Sequence, residues 1–154
     1  MLFEQFWTWL EMQPLSAHIG ETAWFPFLES VHVLSAMFVV GTVLMADLRL
    51  LGWSALRYPL TVVTDEVVPW TWGAFVIAVV TGVGLLMPRA SWYVANPAFL
   101  AKVILLVLAG VNMLVLHFFA LRTERLRLQM TTGACSLLVW AGVVLAGRWI
   151  GHLS

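Results

Sequence analysis

The sequence predicts an all-α membrane protein, an up-down bundle of four transmembrane helices with a short interfacial helix at its N-terminus. Three observations predict it. Of 154 residues, 62% are hydrophobic and only 10% charged, where a soluble domain carries about a quarter charged residues. The mean hydropathy is +0.93, so the chain lacks the polar surface to cover itself and its natural solvent is lipid. The apolar residues also collect in four runs, each near the ~20 helical residues that cross a hydrocarbon core. No stretch alternates with a period of two, which argues against a transmembrane barrel.

The N-terminal segment, residues 1–25, precedes the first run. It lacks a basic stretch and carries Glu4, Glu11 and Glu21, so a secretory signal is not expected. Phe3, Phe6, Trp7 and Leu10 recur at helical spacing, which predicts a helix lying in the membrane interface and ending near Pro14. The transmembrane domain then occupies 26–154. Its first span runs over about 27–51, with Pro26 suited to an initial turn. The second covers 68–87, opened by Pro69 and closed by Pro88. The third covers 97–119 and the fourth 131–150. Short connections make consecutive spans antiparallel neighbours. Gly41, Gly73, Gly82, Gly84, Gly110, Gly142 and Gly147 are expected to let helices approach closely.

Arg49, Arg57, Arg122, Arg125 and Arg127 fall in or beside the loops after the first and third spans, and no Lys or Arg precedes Arg49. The positive-inside tendency then places those loops in the cytoplasm and both termini in the periplasm of a bacterial inner membrane. Trp24, Trp70, Trp72, Trp92 and Trp149 lie near span ends, at headgroup level, while Trp140 lies nearer mid-membrane. One domain fits in this length. A formal net charge of 0 offers no basic face to nucleic acid. Cys135, the single cysteine, permits neither an intrachain disulfide nor a CxxC motif and reads as a small buried residue.

Ionisable residues inside spans are expensive unless paired or functional, and here they form two layers. The outer layer holds Glu29, His32, Lys102, Arg148 and His152; the inner holds Asp47, Arg49 and His117, with Asn112 between. Glu29 and His32 are spaced i, i+3, and Arg148 and His152 i, i+4, so each pair shares a helix face. Glu29 and Arg148 match in depth and are expected to pair, which in the simplest reading only neutralises two charges and fixes helix register. Neutral imidazole also ligates haem iron and metals. His32 with His152 is the bis-histidine pair that uses two spanning helices, with His18 as an alternative partner and Arg148 and Lys102 available to haem propionates. Asp47 and His117 match in depth as a structural or proton-relay pair.

Several segments, FLESVHVLSAMFVVGTVLMADLRLLG, PWTWGAFVIAVVTGVGLL, YVANPAFLAKVILLVLAGVNMLVLHF and LLVWAGVVLAGRWIGH, together resemble a family of small, functionally uncharacterised bacterial four-helix membrane proteins. The resemblance runs from about Pro14 to Trp149. It implies a four-helix inner-membrane fold and makes Glu29, His32, Asp47, Arg49, Asn96, Pro97, Lys102, Asn112, His117 and Arg148 the family-like positions. It implies no activity. A looser likeness to small b-type cytochromes and copper-resistance membrane proteins rests on helix number and on histidines in spans.

Three functions are expected from these residues. The first is a b-type haem-binding or quinone-linked electron-transfer subunit. The second is a non-catalytic accessory subunit of a larger membrane or periplasmic redox complex, or a homo-oligomer. The third is transport of a proton, metal ion or small solute. A hydrolase is poorly supported, because Ser30 and Ser35 lie near His32 without a nucleophile elbow.

Overall fold

The computed structural model describes residues 2–53, 67–115 and 126–153, and among them there are helices and no strand. Two short helices come first, α1 (Leu2–Glu11) and α2 (Pro14–Glu21). Pro14 divides them: it takes the first helical position of α2 and drives Gln13 to extended backbone, φ −68° and ψ 141°, as a residue before proline prefers. The expected N-terminal helix is present, with a second one behind it.

Four helices are long and apolar enough to cross a bilayer. The first, α3 (Trp24–Leu50), ends where Gly52 adopts φ +82°. Gly52 N–H then bonds Arg49 O and Trp53 N–H bonds Leu48 O, each at 3.1 Å, so the last carbonyls are closed by a left-handed glycine cap. In α4 (Val68–Leu86) Pro69 sits in the first turn. Pro88 tightens Met87–Arg89 into a 3₁₀ turn instead of ending the helical path, which continues as α5 (Ala90–Ala95). Then come α6 (Pro97–Val115) and α7 (Leu126–Trp149). The fourth span therefore begins five residues before its expected start, and the expected end of the third at 119 lies outside the described residues.

The spans pack in the order α4–α3–α7–α6. Consecutive spans are neighbours in two cases, α3 with α4 and α6 with α7, but among the described residues α4 and α6 do not pack closely. The expectation of adjacency fails there because the connection is itself structured. The 3₁₀ turn and α5 fill it, and α1 and α2 pack on them. Ser91 N–H donates to Glu11 Oε1 at 2.7 Å, fixing α1 to the first turn of α5. These short elements cap one end of the bundle, here termed the capped end.

Glycines set how near the spans come. A Cβ at Gly82, Gly133 or Gly142 would fall 3.0–3.4 Å from His32, Leu50 or Leu105 respectively, so these three mark the α4–α3, α7–α3 and α7–α6 contacts. Gly84 does the same against Leu28. Among the described residues Gly41, Gly73 and Gly110 have nothing within 4 Å, which corrects their expected packing role there, while Gly133 was not anticipated. Cys135 is exposed rather than buried, since it projects from α7 away from its neighbours. The interior is small: Val39, Ala98, Ala109 and Val143 are buried with Thr81, Thr132 and Ser136, as expected where close packing and interhelical hydrogen bonds hold spans together. Between 11% and 22% of each span's most apolar stretch is buried within the chain, so lipid or another protein meets the rest.

Candidate functional site

The capped end gathers most of the ionisable side chains. His32 lies eight residues into α3, about 12 Å along its axis, and faces α4. Its Nδ1–H donates to Ala78 O at 2.8 Å and shares the proton with Thr81 Oγ1 at 3.2 Å. Thr81 Oγ1 spends its own proton on Ile77 O at 2.7 Å. A carbonyl can only accept, so Nδ1 carries the proton and Nε2 of the neutral ring is a bare acceptor. No described residue bonds Nε2. A hydrogen bond of this kind also fixes the tautomer of ligating and proton-accepting histidines.

Lys102 comes from α6, half-buried, with its ammonium and the end of its stem beside Gly147 of α7. Its ammonium acts electrostatically on the His32 ring. His32 is thus tied to α4 and Lys102 lies against α7, both toward the capped end. Tyr93 of α5 lies within the fields of Arg89 and Glu29 at the same end. Asn96, 4% exposed, lies at the same end. Its Oδ1 accepts from Ala98 N–H (2.9 Å) and Phe99 N–H (3.3 Å), and its Nδ2 donates to Ile150 O (3.1 Å) and Leu153 O (3.4 Å). One side chain therefore caps α6 and ties the end of α7 to it.

The other expected residues of this layer are spread out. Glu29 and Arg148 are exposed, and no ion pair between them is found among the described residues. His152 is exposed beyond the end of α7, and His18 is exposed in the last turn of α2. Among the described residues no hydrogen bond or charge interaction joins either to His32, which lies two turns inside α3. Among the described residues no group of three His, Cys, Asp or Glu side chains could hold a metal ion. Were a haem held here, His32 Nε2 would be the nitrogen left to bind it. Ser30 Oγ and Ser35 Oγ donate to Pro26 O and Val31 O, so neither hydroxyl is poised as a nucleophile.

The second layer lies about 22 Å further along α3. Asp47 is 3% exposed and takes a side-chain hydrogen bond from Ser136 of α7. Asn112 Nδ2 donates to Thr132 O at 3.0 Å, joining α6 to α7. Arg49 is half-buried and Arg127 exposed. His117, Arg57, Arg122 and Arg125 lie outside the described residues. Nearer this layer than His32, Thr71 Oγ1 donates to Thr42 Oγ1 at 2.9 Å, a contact between α4 and α3.

The roles of Thr81, Ser136 and Glu11 were not anticipated. Asn96 had a signal, since Asn-Pro ahead of an apolar run is an N-cap followed by proline at the first helical position. The backbone carbonyl of Ala78 had none.

A family model described as a family of unknown function, DUF6644, matches residues 6–153. No curated protein and no solved structure proved similar to the chain.

Proposed function

The chain belongs to the DUF6644 family, whose function is unknown, and from that premise we propose that it is a small quinone-linked electron-transfer subunit. The observation that carries the reading is the state of His32. Its Nδ1–H is committed to Ala78 O, its Nε2 is an acceptor, and the charge of Lys102, from another helix, acts on the same ring. An acceptor nitrogen beside a cation suits a phenolic hydroxyl, which is what a quinol presents. His32 Nε2 accepts the hydroxyl proton, and Lys102 balances the negative charge left on oxygen. The loosely packed side between α4 and α6 gives a lipid-soluble head group an approach from the bilayer. Oxidation to the quinone then releases the second hydroxyl proton to water and two electrons to a redox partner, periplasmic or membrane-bound, for which α1, α2 and α5 offer a platform.

In this reading the protein sits in a bacterial inner membrane with both termini and the capped end in the periplasm. Reporter fusions at the two termini then give the same periplasmic signal, and fusions in the loop containing Arg57 give the cytoplasmic one.

Binding of a short-chain quinol to the protein in nanodiscs, followed by tryptophan quenching, tests the assignment. Replacing His32 or Lys102 with alanine removes a charged or charge-assisted hydrogen bond and weakens binding by about ten- to a hundredfold. Equal affinity in both variants, with unchanged thermal unfolding, rejects the site. A second reading, a b-type haem with His32 as one axial ligand and the other from a second copy or a partner, draws on the same free Nε2. A Soret band in purified protein that vanishes in His32→Ala but survives Lys102→Ala would favour it.

A further inference from the structure

We propose that Asp47 is a proton-binding site of the membrane domain, a carboxyl that takes up and releases a proton at the end of the bundle remote from His32. The carboxyl is sealed by a helix crossing. Gly133 of α7 lies so close to α3 that a Cβ there would be 3.1 Å from Leu50 Cβ and 3.2 Å from Asp47 O. Asp47 is 3% exposed and Ser136 beside it 7%, so the hydration shell of a free carboxylate has no room. Its partners are few. Ser136 supplies one hydrogen bond, and Oδ2 has none among the described residues, although an ionised carboxylate offers about four acceptor positions.

No described cation faces it. From α7 come Ser136, Gly133 and Thr132, whose hydroxyl is spent on Leu128 O and Gln129 O. From α6, Asn112 reaches the Thr132 carbonyl. From α4, the hydroxyl of Thr71 is bonded to Thr42 on α3. Arg49 follows two residues along α3, about 200° around the helix, and so projects from the opposite face. A carboxylate left unpaired at such a crossing is far less stable than the neutral acid. As the acid, Asp47 keeps the Ser136 bond on one oxygen and carries its proton on the other. Asp47 is three residues from the end of α3, near enough to bulk water for exchange. The step is carboxylate plus proton giving carboxylic acid; it needs no co-reactant and does not depend on the quinol reading.

The sequence contains only two aspartates, Asp47 and Asp65, which makes the site observable in the full chain without altering Asp47. Infrared spectra are taken in lipid nanodiscs at neutral pH, with aspartate carrying a heavy-carbon side-chain carboxyl. The expected result is a carboxylic-acid stretch that shifts with the label, persists in Asp65→Asn, and moves upward in Ser136→Ala as its hydrogen bond is lost. Dicyclohexylcarbodiimide, which attacks protonated carboxyls from the lipid phase, should give an adduct at Asp47. Three results overturn the proposal. The first is a label-sensitive band found only as carboxylate, meaning that Asp47 is ionised and paired elsewhere in the chain. The second is an acid band that disappears in Asp65→Asn. The third is protection of Asp47 from the reagent by sodium at constant pH, which would make the site one for a metal ion.

Discussion

Replacing Gly82 with alanine would put a methyl group 3.1 Å from His32 Cε1 and 3.4 Å from Nδ1. The imidazole is the only partner that can yield, so the ring turns and its bond to Ala78 O lengthens. We expect Gly82→Ala to weaken quinol binding by about tenfold, the worth of one ordinary hydrogen bond, with little change in thermal unfolding. Titration of the purified variant by tryptophan quenching checks it, and unchanged affinity would detach the ring's orientation from the site. At this scale the sequence was partly legible. His32, Lys102 and Asp47 stood out because ionisable groups are costly in lipid. The partners that define their chemistry were hidden. Ala78 acts through its backbone, and Thr81 and Ser136 are hydroxyls that could as well bond their own helix. His152 and Arg148 drew attention through i, i+4 spacing, yet spacing fixes a shared face and not which way that face turns, and both side chains are exposed.

Helix contacts carry two further predictions. Gly133→Ala sets a methyl group against the α3 backbone, where no flexible side chain can move aside, and should destabilise the protein by about 1–3 kcal/mol. Gly41→Ala and Gly73→Ala meet open space and should be neutral or stabilising by up to about 1 kcal/mol. Unfolding in detergent separates the two classes, and equal effects would remove the α3–α7 crossing from the account. Asn96 can be dissected. Asn96→Asp keeps the oxygen that accepts from Ala98 and Phe99 N–H but loses the donor to Ile150 and Leu153 carbonyls. Asn96→Ala loses both and should cost about 1–2 kcal/mol more than the aspartate, by removal of the cap. Hydrogen exchange should rise at residues 150–153 in both variants, and at 97–99 only in the alanine. The spans themselves were readable because 19 or more apolar helical residues have few other solutions in water or lipid. Their ends were less so. Pro88 looks like a stop in a sequence, but one proline tolerates a 3₁₀ turn and the chain regains helix beyond it.

At the level of the whole molecule, four spans in the order α4–α3–α7–α6 leave one side without close helix packing, and both terminal regions meet at the capped end. Composition alone dictated a membrane protein, because 62% hydrophobic residues cannot be enclosed by a chain of this length. Composition could not dictate which consecutive spans touch, since that depends on α1, α2 and α5 filling the link between α4 and α6. The proposed quinol site draws on three features: the acceptor Nε2 of His32, the charge of Lys102 acting on that ring, and the thin contact between α4 and α6 among the described residues. A photoreactive quinone analogue bound in nanodiscs and cross-linked, with the adducts mapped by mass spectrometry, tests it most directly. Adducts are expected on α4 around residues 78–82 and on α6 around 99–106, both suppressed by excess quinol and lost in Lys102→Ala. Labelling scattered over all four spans, or unaffected by competition, would contradict it.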